Sequence, residues 1–199
     1  MTPLQSRFAR LREYSDISAA GDIARRAFAN NSFDGVLTMT GVVMGSFFVG
    51  IEDPQVVLVT GLSTALAIGI SGGWGAYLTE SAERRHEMTE LERFTLTKLR
   101  DTKIGRASRA AVWIVAAVDG LSPFLAAFLV VAPFLFAPLM PSIAMAYYAS
   151  IAMALISLFG LGLYLGRIAQ ENIFLMGIKT ALAGVASMGL SFILERISR

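Results

Sequence analysis

Residues 54–79 read PQVVLVTGLSTALAIGISGGWGAYLT, twenty-six positions without one charged side chain. A second uncharged run, Gly120 to Gly166, is 47 residues long. A helix needs about 20 apolar residues to cross a bilayer core, so the first run fits one crossing and the second must hold two. Working outward, charge gathers in two places: residues 1–32 carry eight charged side chains and residues 80–109 carry fourteen of the 32 in the chain. Over all 199 residues only 16% are charged and 55% are hydrophobic, whereas soluble domains carry about 25% charge. The pattern is that of an integral membrane protein.

Composition narrows the chemistry. Zero cysteines exclude disulfides, thiolate-held zinc, iron–sulfur clusters and thiol nucleophiles, and a single histidine excludes a multi-histidine metal site within one chain. No histidine pair of a metalloprotease exists, and no Ser–His or Ser–Lys partnership can be argued, so no enzyme activity is expected. The net charge of +2 carries no nucleic-acid signal, and no nucleic-acid partner is expected.

Five spans fit the hydropathy pattern: residues 33–51, ending at the polar turn Glu52-Asp53-Pro54; 55–79; 110–137, closed by the Pro138–Pro141 punctuation; 142–166; and 173–194. Residues 1–32 precede them. No apolar stretch with a small-residue cleavage site marks a signal peptide there. Instead Gln5 to Ala29 mixes Phe8, Leu11, Ile17, Ile23 and Phe28 with five arginines, an amphipathic helix at the membrane surface with Gly21 as its weak point. The expected fold is therefore an all-α integral membrane protein. It has an N-terminal amphipathic segment (1–32), a five-span domain (33–199), and a cytosolic helical extension between spans two and three (80–109). Lys and Arg counts set the orientation: five before span one, eight in residues 80–109 and one in 167–172, against none in the two short loops opposite. The N-terminus is expected in the cytoplasm and the C-terminus outside, in the cell membrane.

Ionisable groups within spans are costly and face a bundle interior or a wet path. Asp34, Asp119 and Lys179 are three such groups. Asp34 reads either as a helix N-terminal cap or as a pathway carboxylate. Asp119 and Lys179 differ in depth by only about 5 Å at 1.5 Å per residue, so they are expected to neutralise each other as an intramembrane ion pair. Small residues recur four apart, at Gly41 and Gly45, Ala65 and Gly69, and Gly162 and Gly166, which suits close helix packing. The run Gly69 to Gly75 holds four glycines; it reads either as tight packing or as a local unwinding that exposes carbonyls.

Beyond span two, Glu80, Glu83, Glu87 and Glu90 are spaced 3, 4 and 3 and so share one helical face. His86 lies beside them, and Glu83-x-x-His86 has the i, i+3 spacing used in di-iron bundles. Carboxylates with an imidazole suit Fe2+ or Mn2+. The alternative is a solvated helix laced by pairs such as Glu80 with Arg84. One helix cannot complete a metal cage, so the metal reading needs a second element or a second chain.

Three stretches carry a resemblance to a known family. Phe33-Asp34-Gly35-Val36-Leu37-Thr38 with Gly41-Val42-Val43 resembles the first-span Asp-Gly motif of the vacuolar iron transporter (VIT) family. Ile70-Ser71-Gly72-Gly73-Trp74-Gly75-Ala76-Tyr77-Leu78 is similar to its Ile-Ser-Met-Gly-x-Gly-x-Tyr-Leu pattern. Gly177-Ile178-Lys179-Thr180-Ala181-Leu182-Ala183-Gly184 resembles its fifth-span Gly-Leu-Arg-Met-Leu-Leu-x-Gly stretch. The resemblance covers roughly residues 25–199. It implies export of Fe2+ or Mn2+ from the cytosol in exchange for protons. A homodimer would form the route, with Asp34 on it and the Glu80–Glu90 face gathering metal; the metal is the transported ion and no cofactor is implied. Thr38, Met39 and Ser71, with Thr40 and Met44 nearby, are the further oxygen and sulfur donors. The family's methionine in the second motif is Gly72 here, Ala76 stands where plant relatives place a glutamate, and the cytosolic insertion is shorter. These departures motivate a second reading, a membrane scaffold or regulator of the same fold that has lost transport.

The ion-pair expectation has a direct test. If Asp119 and Lys179 neutralise each other, Asp119→Ala or Lys179→Ala alone should lower the yield and thermal stability of solubilised protein more than the double variant does. A double variant no better than the singles would dissolve the pair.

Overall fold

The structure, a computed structural model, describes residues 20–198. Residues 1–19 of the N-terminal amphipathic segment lie outside the described residues. The chain forms α1 (Ala20–Val49), α2 (Pro54–Thr95) and α3 (Lys103–Val131), then a 3-10 stretch (Ala132–Leu139), α4 (Ile143–Ala169) and α5 (Ile173–Ser198). Five helices are long and apolar enough to cross a membrane. The connections are short and locally determined. Gly50, at φ +78°, closes α1 by donating its N–H to the Phe47 carbonyl at 3.1 Å. Asp53 then caps α2, accepting the Gln55 N–H at 2.8 Å, with Pro54 at the first helical position where its missing N–H costs nothing. Between α4 and α5, left-handed Gln170 ends one helix and the Asn172 side chain accepts the Leu175 N–H at 3.1 Å to start the next.

Three helix boundaries differ from the sequence expectation. α1 starts at Ala20 rather than near Phe33, because no proline and no glycine after Gly21 interrupts the segment. Asp34 therefore lies in mid-helix and does not cap an N-terminus. Regular α-helix in α3 stops at Val131, ahead of the Pro138–Pro141 punctuation. Pro133 has no N–H and disfavours helical geometry at the residue before it, and the chain tightens into 3-10 bonding. The Val130 carbonyl, at the junction of the two helical forms, accepts the Ser150 hydroxyl of α4 at 2.5 Å. The glycine-rich run of α2 is uninterrupted helix, so the unwound reading gives way to tight packing.

The chain divides into two compact units. One comprises Ile70–Leu121 with the chain up to Phe28; the other comprises Ala29–Gly69 with Ser122–Arg199. In the larger unit Val36, Met39 and Val43 of α1 meet Val57 and Ala65 of α2, Ala127 and Val130 of α3, Phe134 of the 3-10 stretch and Tyr147, Ala154 and Leu158 of α4. Two features fix the helices to one another there. The Tyr147 hydroxyl donates to the Ile51 carbonyl at 2.9 Å, and the Thr180 hydroxyl of α5 reaches the Leu158 carbonyl of α4 at 2.8 Å. Glycines set the closest approaches. A Cβ on Gly162 would lie 2.6 Å from the Gly177 Cα, and one on Gly35 would fall 2.8 Å from the Pro123 Cα. In the smaller unit Gly72 and Gly73 do the same for α2 against α3, over the carbonyls of Asp119 and Ala116.

Gly35→Ala should accordingly lower the thermal stability of the solubilised protein by about 1–3 kcal/mol, the cost of overpacking. Gly160→Ala, where a Cβ meets nothing within 4 Å, should leave the stability unchanged or raise it slightly through helix propensity. Equal melting curves for the two variants would contradict the packing described.

Candidate functional site

α1 presents two opposite faces. At 100° per residue, Val36, Met39, Thr40 and Val43 point one way, into the core, and all four are almost fully buried. Asp34, Thr38, Gly41 and Gly45 follow one another at spacings of 4, 3 and 4 and point the opposite way, within about 60° of each other. Asp34, Thr38 and Gly45 are exposed and Gly41 is half-buried, with open space beside both glycines. Thr40 satisfies its hydroxyl by donating to the Val36 carbonyl at 2.7 Å. The carboxylate of Asp34 and the hydroxyl of Thr38 make no hydrogen bond or ion pair with any described residue. With about 15 residues between Asp34 and the end of α1 at Val49, the carboxylate stands roughly 22 Å along the helix from that end, a distance shorter than the about 30 Å thickness of a hydrocarbon core.

The remaining sequence candidates fall elsewhere. Met39 is wholly buried, its sulfur near Gly61; it belongs to the core face and shares no face with Asp34. Met44 is buried as well. Ser71 is exposed on the stretch of α2 that belongs to the smaller unit. Asp119, half-buried, is in the smaller unit and Lys179, exposed, in the larger. Gly72, at the methionine position of the family pattern, is a contact point: a Cβ there would lie 2.6 Å from the Asp119 carbonyl oxygen. Ala76 is buried too. Both departures from the family pattern thus occur where α2 has little room for a longer side chain.

α2 continues as helix beyond its apolar part as far as Thr95, and a turn separates it from α3, so the 80–109 extension is not one continuous helix. Glu83, His86, Glu87 and Glu90 are exposed on it. Glu80 is only half-buried and takes the Arg84 guanidinium at 2.8 Å, which also reaches Glu87 at 3.5 Å. His86 stands 3.9 Å from Glu90. The carboxylate row is therefore partly engaged by i,i+4 and i,i+3 partners of its own helix. Among the described residues no group of three His, Asp or Glu side chains is gathered closely enough to hold a metal ion.

Sequence reasoning missed the other face of this helix. Tyr77, Ser81, Arg85, Met88 and Glu92 line a cavity of about 560 Å3 that is closed by Arg100 and by the start of α3. Helical spacing alone would have grouped those α2 residues, but the α3 wall comes only from the turn at residues 96–102.

Residues 26–105 match the VIT family. Over 179 residues the chain is 30% identical to an uncharacterized protein of Methanocaldococcus jannaschii, a match that spans 88% of this chain and 91% of that relative. The family match takes in the Asp34 face, the glycine-rich part of α2 and the carboxylate row. The chain belongs to the VIT family, and is thus a multi-pass membrane protein of a metal-ion transporter family.

Proposed function

We propose that this protein exports Fe2+ or Mn2+ from the cytosol in exchange for protons, as a homodimer whose two α1 helices face each other along Asp34, Thr38, Gly41 and Gly45. The observation that carries the reading is the position of Asp34. An ionised carboxylate within the hydrocarbon core costs up to about 2.5–3.5 kcal/mol on insertion scales, the value at the helix centre, and nothing described in the single chain offsets that cost. A second copy would cover the face, let the backbones approach at Gly41 and Gly45, and bring two carboxylates together. Two carboxylates with the Thr38 hydroxyls form an oxygen-rich set suited to Mn2+ or Fe2+. Like charges at close range also favour a shared proton, so a metal ion and protons would compete for one site, which is the requirement for exchange.

In this reading the N-terminus and the α2 extension are cytoplasmic, the C-terminus is outside, and the protein resides in the cell membrane. Glu83, Glu87 and Glu90 with His86 raise the local cation concentration at the cytosolic mouth. Met39, held in the core, contributes packing instead of a ligand. The scaffold reading draws on Gly72 and Ala76, and a transport assay separates the two.

In proteoliposomes loaded for flux in the export direction, the native chain should move Mn2+ with proton counterflow. Asp34→Asn, which keeps size but removes the charge, should reduce the rate by about a hundredfold if the carboxylate stabilises the bound ion by about 3 kcal/mol. Unchanged flux in Asp34→Asn would remove Asp34 from the route, and no flux from the native chain would leave the scaffold reading. The dimer has its own readout. Gly41→Leu with Gly45→Leu adds bulk only where the single chain is open, so it should convert a dimer on light scattering into a folded monomer. A dimer that survives both leucines would place the interface elsewhere.

A further inference from the structure

The cavity beside the α2 extension has no place in the transport scheme. It lies wholly within the smaller unit. Four arginines line it, Arg84, Arg85, Arg100 and Arg109, against a single carboxylate, Glu92. That carboxylate is already occupied: its Oε1 accepts the Leu99 N–H at 2.7 Å. Arg84 is turned partly toward Glu80 and Glu87. Neither Arg85 nor Arg100 pairs with a carboxylate among the described residues, and Arg109 uses one nitrogen to donate to the Arg100 carbonyl at 3.0 Å. The cavity therefore collects three guanidinium groups, those of Arg85, Arg100 and Arg109, that no carboxylate among the described residues pairs.

The turn that holds Arg100 is tightly defined. The Thr102 hydroxyl donates to the Leu99 carbonyl at 2.6 Å. Gly105 lets α3 start directly under that turn; a Cβ there would lie 2.6 Å from the Leu99 carbonyl oxygen. Pre-set guanidinium groups of this kind suit an oxyanion, because each planar fork can donate two parallel hydrogen bonds to phosphate oxygens. The hydroxyls of Ser81 and Ser108 add neutral donors to the same lining.

The position of the cavity along its two helices favours a ligand at headgroup depth. The uncharged run of α2 ends at Thr79 and charge begins at Glu80, while α3 carries its first charges up to Arg109 and then none until Asp119. The cavity straddles both boundaries. At its apolar end Tyr77 and Trp113 meet at 5.0 Å between ring centroids, and Trp74 adds a third ring 5.9 Å from Tyr77. Aromatic side chains of this type concentrate where hydrocarbon gives way to headgroups, and basic pockets between helices at that level hold anionic headgroups. A volume of about 560 Å3 is in the range of small-ligand sites, roughly 300–1,000 Å3.

We propose that this cavity binds a phosphate group, presented by an anionic lipid headgroup at the membrane surface or carried by a free phosphate ester. The site is independent of the Asp34 face and of whatever that face transports. Its charge rejects cations, so it is not a second metal station.

The test uses the full chain in detergent, with the fluorescence of Trp113 and Trp74 as readout. Phosphatidylglycerol in mixed micelles should give a saturable change that phosphatidylcholine does not give. Arg85→Gln with Arg100→Gln should weaken it about tenfold or more, since two charge-assisted contacts are lost. Arg93→Gln with Lys98→Gln removes the same charge outside the cavity lining and should stay within about twofold. Titration with inorganic phosphate and glycerol phosphate identifies the source. Saturation by the free anions with displacement of lipid supports the site with a soluble ligand, and lipid binding that millimolar phosphate does not displace supports it with a headgroup. Should the Gln pair fail to fold, Arg85→Lys with Arg100→Lys keeps the charge, removes the forks, and should still cost about threefold or more. Equal losses in the cavity and control pairs, or no saturation by any of these anions, would overturn the proposal.

Discussion

Helices in a bilayer gain little from hiding apolar surface from lipid, so their association rests on close approach and on hydrogen bonds between them. That constraint explains where this chain spends its glycines. Gly35 lies over the backbone of Pro123, Gly72 over the carbonyl of Asp119, and Gly162 against Gly177. Any side chain at these points would force the helices apart and forfeit the dispersion contacts on either side. The interhelical hydrogen bonds of Tyr147, Ser150 and Thr180 all end on backbone carbonyls. The other glycines are informative by contrast. Gly41 and Gly45 meet nothing, yet they follow Asp34 and Thr38 along one face of α1. In the proposed dimer this is the face of α1 that a second copy would cover.

Much of this was legible in the sequence because hydropathy and period report directly on burial. The uncharged runs gave five crossings, and the step of 3 and 4 from Asp34 through Thr38 to Gly41 is visible without coordinates. The failures have physical causes. Asp34 looked like a cap because charge was used to place the start of span one, whereas a helix stops only where backbone chemistry stops it, and none does before Ala20 is reached from the membrane side. Pro138 looked like the end of span three because the uncharged run continues to it, but Pro133 already removes the donor on which regular α-bonding depends. Met39 was grouped with Asp34 through nearness in sequence. Five residues are about 500° of helical rotation, which turns its side chain toward the core.

The arginine cavity was the least legible feature, for a different reason. On α2 its residues are interleaved with the carboxylates that drew attention to the same stretch. Its second wall depends on a turn closed by Glu92, Thr102 and Gly105. Charge counting recorded eight basic and six acidic side chains in residues 80–109, a near balance that conceals their separation. On the helix the carboxylates Glu80, Glu83, Glu87 and Glu90 centre roughly 130° away from the arginines and hydroxyls of the cavity wall.

That separation lets one helix present two chemistries without cancelling them. Across a helix about 10 Å wide, opposite faces are about one Debye length apart at physiological salt. A cation near Glu83, Glu87 and Glu90 is therefore only weakly repelled by Arg85 and Arg100. Arg84 is the point of contact between the two sets. It lines the cavity and at the same time holds Glu80 at 2.8 Å and Glu87 at 3.5 Å. Glu80 and Glu87 are thereby partly neutralised, whereas Glu83 pairs with no basic side chain among the described residues. The carboxylate most available to a passing cation is thus Glu83, not the buried end of the row nearest the membrane.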